Sequence, residues 1–258
     1  MAGRVKKISV EEAKGLIQKP YVFLLDVREP KEYEEGHLPG ATLIPLSELP
    51  DRISELKDKK EIIAYCRSGV RSLAAANLIA HDLDINTYSM EGGIRAWNDI
   101  ISTGRLEDME KLTEGLKEPY EFISLAYSLE DGAEKFYQKI SKDPSFSEFK
   151  DVFEMLANVE GMHKEKISLL AKDTKIDERF KDLMEGGVSI SEAFEEILSV
   201  KRDIKSLLEF CMQMEVNSLD LYMRILRLVE EKTRDVFNHI IADEKRHLKQ
   251  LGEKLSEL

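Results

Sequence analysis

The pattern of apolar and polar positions changes character near residue 105. Before it, short apolar runs (Tyr21–Asp26, Ala41–Ile44, Glu61–Tyr65 and Ile85–Ser89) alternate with stretches of helical periodicity. That alternation predicts a parallel sheet with helices on both faces. Glycine and proline punctuate this half, at Pro20, Pro30, Pro39, Gly40, Pro45, Pro50, Gly69, Gly92 and Gly93, and mark its turns. From about Arg105 the chain becomes long amphipathic helix with few breakers. Lys117-Glu118-Pro119 predicts the start of a first long helix, since proline is accepted in a first turn. Pro144, followed by serines able to cap, separates it from a second. Residues 172–201 hold Gly186-Gly187 and a weaker pattern, long enough for a crossover, and further helices are expected over roughly 202–230 and 233–256. The expected organisation is an α/β domain over 1–104, a charged linker over 105–117 and an all-α four-helix bundle over 118–258.

Length and charge narrow the function classes. The 258 residues suit two domains, taking roughly 100–200 residues for each. A net charge of −12 argues against nucleic acid or an anionic membrane as the main partner. It leaves anionic substrates open, because a local basic pocket can override the overall field. No apolar stretch approaches the roughly 18 residues that span a bilayer, and the N-terminal MAGRVKKISVEEAKG has no apolar run typical of a secretory signal. The two cysteines, Cys66 and Cys211, make no disulfide framework. A reducing cytoplasm is the expected location.

The second half repeats itself. Glu130 precedes Glu160-Gly161-Met162-His163 by 30 residues, and Glu215 precedes Glu244-Lys245-Arg246-His247 by 29. Each isolated glutamate is followed seven residues later by a tyrosine, Tyr137 and Tyr222. In Glu-x-x-His the two side chains share one helix face and can converge on one metal ion. Two such motifs plus a glutamate from each remaining helix supply four carboxylates and two imidazoles, enough to offset and bridge two divalent cations. Two open-sided iron or manganese ions suit O₂ or peroxide chemistry. The competing reading is a plain bundle with these residues on solvated faces. Against it, Ile123, Leu125 and Ala126 flank Glu130, and Ile240, Ile241 and Leu248 flank the last pair.

On those residues the segment 118–258 resembles the ferritin-like domain of the rubrerythrin group. The resemblance implies a di-iron site (manganese or zinc as substitutes) in which Glu160 and Glu244 bridge, Glu130 and Glu215 are terminal ligands, and His163 and His247 bind one metal each. Tyr137 and Tyr222 fall where that group places tyrosines behind the ligands. It further implies a homodimer and peroxidase-type chemistry on peroxide or O₂. The chain departs from the group in two ways: it lacks the paired Cys-x-x-Cys motifs of a rubredoxin, and Ser218 stands where the group carries a further glutamate three residues after the third-helix ligand.

Cys66-Arg67-Ser68-Gly69-Val70-Arg71 follows the apolar strand Glu61–Tyr65 and opens a helix. A cysteine at such a turn sits where backbone N–H groups and the helix dipole converge, which lowers its pKa and makes the thiolate nucleophilic. The same cradle, with Arg67 and Arg71, would hold a small sulfur-containing anion. An inert core thiol is the alternative, disfavoured by the flanking arginines and glycine. With Asp26-Val27-Arg28-Glu29, Glu32-Tyr33, Gly36-His37-Leu38-Pro39-Gly40-Ala41 and Gly92-Gly93-Ile94-Arg95-Ala96-Trp97, this half resembles a single rhodanese domain. In that family a six-residue loop serves sulfur transfer and a seven-residue loop serves related phosphatases; Cys66 to Arg71 counts six. The resemblance implies a persulfide on Cys66, formed from thiosulfate or polysulfide and passed to a thiol acceptor. Asp26, Arg28 and His37 are assigned to the scaffold, Trp97 to the core, and Cys211 to the bundle core rather than to sulfur acceptance. The rival to a sulfurtransferase fused to a di-iron oxidoreductase is a non-catalytic iron-binding or redox-sensing module with a rhodanese recognition domain.

Overall fold

The computed structural model describes residues 3–19, 21–104, 111–117, 120–170, 177–200 and 203–256. The Glu118-Pro119 helix start, residues 105–110 of the linker and the beginning and end of the crossover lie outside these residues. The chain folds as two compact units, Met1–Glu107 and Asp108–Leu258.

The first unit runs β1 (Val5–Ile8), α1 (Val10–Ile17), β2 (Val22–Asp26), α2 (Pro30–Glu35), β3 (Thr42–Leu43), α3 (Leu49–Arg52), β4 (Glu61–Tyr65), α4 (Val70–Leu83) and β5 (Asn86–Met90). The strands form one sheet in the order β1-β5-β4-β2-β3, every pairing parallel. Successive side chains of a strand point to opposite faces, and β4 shows why it is central. Ile63 and Tyr65 join Leu24 and Met90 in one apolar cluster, while Ile62, Ala64 and the following Cys66 join Ala75 and Ile79 of α4 in another. Full burial of each isoleucine, leucine or methionine here contributes about 1.5–3 kcal/mol. Strand β1 was not anticipated, because Lys6 and Lys7 are exposed and break the apolar pattern. The expected strand over Ala41–Ile44 shrinks to the two residues of β3.

The second unit holds four long helices among the described residues: α5 (Tyr120–Lys142), α6 (Lys150–Leu170), α8 (Ile204–Leu228) and α9 (Glu231–Ser256). Helix α5 packs on α6, and α8 on α9. Their apolar faces meet in a core that includes Phe136, Phe146, Phe153, Leu156, Phe210 and Leu251. Helix starts follow local chemistry: Asp203 accepts from the Ser206 N–H at 3.0 Å to cap α8. The crossover holds a further helix, α7 (Ile190–Ser199), started by a Ser189/Glu192 capping box, with Ala193 and Ile197 buried. No helix among the described residues is long and apolar enough to cross a membrane.

Candidate functional site

Two clusters of reactive side chains stand out, one in each unit. In the first, the end of β4 delivers Cys66 to a tight loop, and Gly69, in the left-handed region at φ 97°, starts α4. The Gly69 N–H donates to Cys66 Sγ at 3.1 Å, and the sulfur lies 3.8 Å from Ser72 Oγ. Burial pushes the Cys66 thiol up, but the N–H groups of Ser72, Ser68 and Gly69 and the Ser72 hydroxyl outweigh it, leaving the thiol below its ordinary value. Cys66 is buried, Gly69 half-buried, and Arg67, Ser68 and Val70 are exposed.

The loop is braced from the far end of the unit. The Ile94 N–H donates to the Cys66 carbonyl at 2.8 Å and the Arg95 N–H to the Arg67 carbonyl at 3.2 Å. This approach needs glycine: a Cβ on Gly93 would sit 2.1 Å from the Cys66 carbonyl oxygen. The two arginines of the loop differ. Arg71 is clamped by Glu32 through two bonds of 2.8 and 2.9 Å, which holds the Glu32 carboxyl down at about 2. Arg67 lines a cleft of about 380 Å³ together with Arg28, Glu32, Arg95 and Trp97. Trp97, assigned to the core from sequence, is only half-buried: its ring bears Lys14 at 5.4 Å and its Nε1 donates to the Ile100 carbonyl at 3.0 Å. Arg28 is buried and tied to Asp26, with a 2.7 Å bond to the Gly36 carbonyl, and His37 stacks on Tyr33 at 3.7 Å. These residues hold the scaffold.

In the bundle, Glu130 of α5, Glu160 and His163 of α6, Glu215 of α8, and Glu244 and His247 of α9 are all buried and converge. His163 Nδ1 lies 3.2 Å from Glu130, 3.3 Å from Glu160 and 3.3 Å from Glu244. His247 Nδ1 lies 3.0 Å from Glu215 and 3.7 Å from Glu160. Glu160 therefore belongs to both nests, and Glu244 reaches from the His163 nest to Glu215. Tyr222 donates to Glu130 at 2.5 Å. Its repeat partner Tyr137 is fully buried beside Cys211, and its hydroxyl meets no carboxylate.

A fifth carboxylate in the cluster escaped the sequence reading. Glu185, in the short turn Glu185–Gly187 of the crossover, is fully buried and groups with Glu215 and Glu244. Its signal was faint: a lone glutamate before Gly186-Gly187 has no helical partner at i+3 and reads as a turn. Burial and neighbouring carboxylates push Glu160, Glu185 and Glu215 well above the usual carboxylate range. Glu130 resists its burial and lies below that range, because His163 is bonded to it. His163 overcomes its own burial through Glu130, Glu160 and Glu244 and is raised, whereas burial and the nearby His163 push His247 down to about 4. Both carboxylate oxygens of Glu160 and Glu244, Oε1 of Glu215 and Nε2 of His247 are buried with no hydrogen-bond partner. Orphaned hard oxygens beside imidazole nitrogens are the donor set that suits iron or manganese. Cys211, one turn before Glu215, is fully buried, and burial pushes its thiol up to about 12.

Two family models match the chain, a rhodanese-like domain over residues 9–100 and rubrerythrin over residues 121–255. The uncharacterized protein YqhL of Bacillus subtilis (strain 168) is 38% identical over 97 residues, which is 38% of this chain and 75% of YqhL. The thiosulfate sulfurtransferase GlpE of Pseudoalteromonas translucida is 32% identical over 97 residues, 38% of this chain and 92% of that protein. A crystal structure of a rhodanese-like domain protein from Staphylococcus aureus is 31% identical, with a TM-score of 0.35, covering 38% of this chain and 97% of that one.

Proposed function

The chain belongs to the rubrerythrin family and carries a rhodanese-like domain ahead of it, and from that premise we propose that it couples a persulfide-forming sulfurtransferase to a di-iron oxidoreductase that reduces peroxide. In the first reaction the Cys66 thiolate attacks the outer sulfur of thiosulfate. The S–S bond of the donor breaks, sulfite leaves with the bonding pair, and Cys66 becomes a persulfide. The N–H groups of Ser68, Gly69 and Ser72 hold the sulfur anion, Arg67 draws the dianion to the loop, and Arg71 is positioned by Glu32. The persulfide sulfur then passes to an acceptor thiolate, which restores Cys66.

In the bundle Glu130, Glu160, His163, Glu215, Glu244 and His247 would hold two iron ions. The bound pair would supply the electrons that reduce peroxide to water. The protein's own contribution is orientation and dryness. Tyr222 fixes the Glu130 carboxylate, and the apolar core of Phe136, Phe153 and Leu156 excludes water nearby. The reading rests on one observation: six ionisable side chains from four helices are buried together, with carboxylate oxygens left unpaired. An unpaired buried polar group costs about 1–3 kcal/mol, so the arrangement calls for a cation. Anaerobic reconstitution with ferrous iron, followed by a peroxide titration in the presence of excess small-molecule reductant to return the ferric pair to ferrous, tests it. Two irons per chain and catalytic peroxide consumption are expected. Stoichiometric oxidation alone would move the reading to an iron store or sensor, and absence of bound iron would end it.

A further inference from the structure

We propose that Glu185 is a seventh ligand of the metal centre, carried in by the crossover to the place that Ser218 leaves open. The inference rests on the metal reading above and adds a residue that lies on none of the four long helices.

Glu185 is fully buried, yet neither of its carboxylate oxygens has a hydrogen-bond partner. An oxygen of Glu185 lies within 4.8 Å of ligand oxygens of both Glu215 and Glu244. A carboxylate with a purely structural role inside a protein is bonded to donors; this one has none and groups with Glu215 and Glu244. Its backbone is held firmly. The Met184 N–H donates to the Val188 carbonyl at 2.8 Å and the Gly187 N–H to the Met184 carbonyl at 2.9 Å, closing a tight turn. The turn is seated against two helices of the bundle. A Cβ on Gly132 of α5 would lie 2.0 Å from the Leu183 carbonyl oxygen, so the crossover backbone touches that helix directly. On the other side the Gly186 N–H donates to Ser218 Oγ at 3.2 Å.

Ser218 explains why the turn can come so close. It lies three residues after Glu215, on the same face of α8, and is fully buried. A long acid at that position would project into the cluster from the helix. Serine instead leaves room and accepts a bond from the residue that follows Glu185. The fifth carboxylate thereby comes from a turn and not from a long helix. Five carboxylates carry more negative charge than two divalent cations neutralise and less than two trivalent ones, so Glu185 favours the oxidised pair.

Cobalt(II) added to the metal-free full-length protein gives a readout independent of turnover. Wild type is expected to bind two ions per chain. E185Q, which keeps the side-chain volume, should bind one of them at least ~10-fold more weakly, the scale on which altered ligand surroundings act, with a changed visible cobalt spectrum. In the iron-loaded protein its reduction potential should rise. Adding S218E to E185Q should restore the lost affinity in part. Equal affinity and an identical spectrum in E185Q would overturn the assignment while leaving the six-residue site intact. A wild-type chain that takes up no cobalt would overturn both.

Discussion

The Tyr222 hydroxyl donates to Oε1 of Glu130 at 2.5 Å, joining the third long helix to the first at the buried carboxylate and imidazole cluster. The repeat offers the mirror-image pair, Tyr137 and Glu215, but there the hydroxyl is unpaired. The two halves of the cluster are therefore chemically unequal.

That inequality predicts unequal mutants. A hydrogen bond to a charged group contributes about 1.5–3 kcal/mol. Y222F should weaken binding of the first cobalt ion by roughly 10-fold or more and slow peroxide consumption. Y137F should change either by less than half as much on a logarithmic scale. Equal effects, measured by titration and by peroxide decay, would contradict the assigned asymmetry.

Sulfur transfer should follow the ionisation of Cys66. The thiol lies below its ordinary value, so alkylation by iodoacetamide should accelerate as pH rises and reach half its limit at a pH below that of a free cysteine. S72A removes one of the groups that hold the thiolate and should move the midpoint upward. C66S should abolish thiosulfate:cyanide turnover, and C211S should leave it unchanged.

Glu32 and Arg71 give a test with a definite sign. The Glu32 carboxyl is depressed to about 2 by its bonds to Arg71, so the pair's stabilising contribution is complete above pH ~4.5 and is lost as pH falls toward 2. E32Q breaks the clamp at every pH and should flatten that acid limb in thermal melts. It should also free Arg71 toward the loop, lowering the KM for thiosulfate; an unchanged KM would show that Arg71 takes no part in anion binding.

Gly93 touches the Cys66 carbonyl and has no room for a side chain. G93A should displace the loop and lower kcat for sulfur transfer by at least ~10-fold, because small misplacements of a reacting group are expensive. Peroxide consumption by the same protein should remain.

Metal removal should act on the bundle alone. At a thousandfold excess over Kd a bound ligand adds about 4 kcal/mol, which for a unit of this size is a melting shift on the order of 10 °C. Scanning calorimetry of the chelated and loaded forms should show one transition moving and the other fixed.

Much of the site was legible because its chemistry is periodic. Glu160 with His163 and Glu244 with His247 follow helical spacing, and the Cys66 loop sits between an apolar strand and a helix start. Glu185 was not legible, because an irregular turn has no period and its partners lie 30 or more residues away in sequence. The clamp on Arg71 was hidden for the same reason: Glu32 is 39 residues distant. Strand β1 was missed because an edge strand with two exposed lysines carries no apolar alternation, and Trp97, which packs against the core as expected, also borders a cleft that composition does not reveal.

The crowding of acids inside the bundle also bears on how long the protein lasts in the cell that makes it. A polypeptide synthesised during iron scarcity would open more often and offer its long helices to proteases, whereas one filled soon after synthesis would persist.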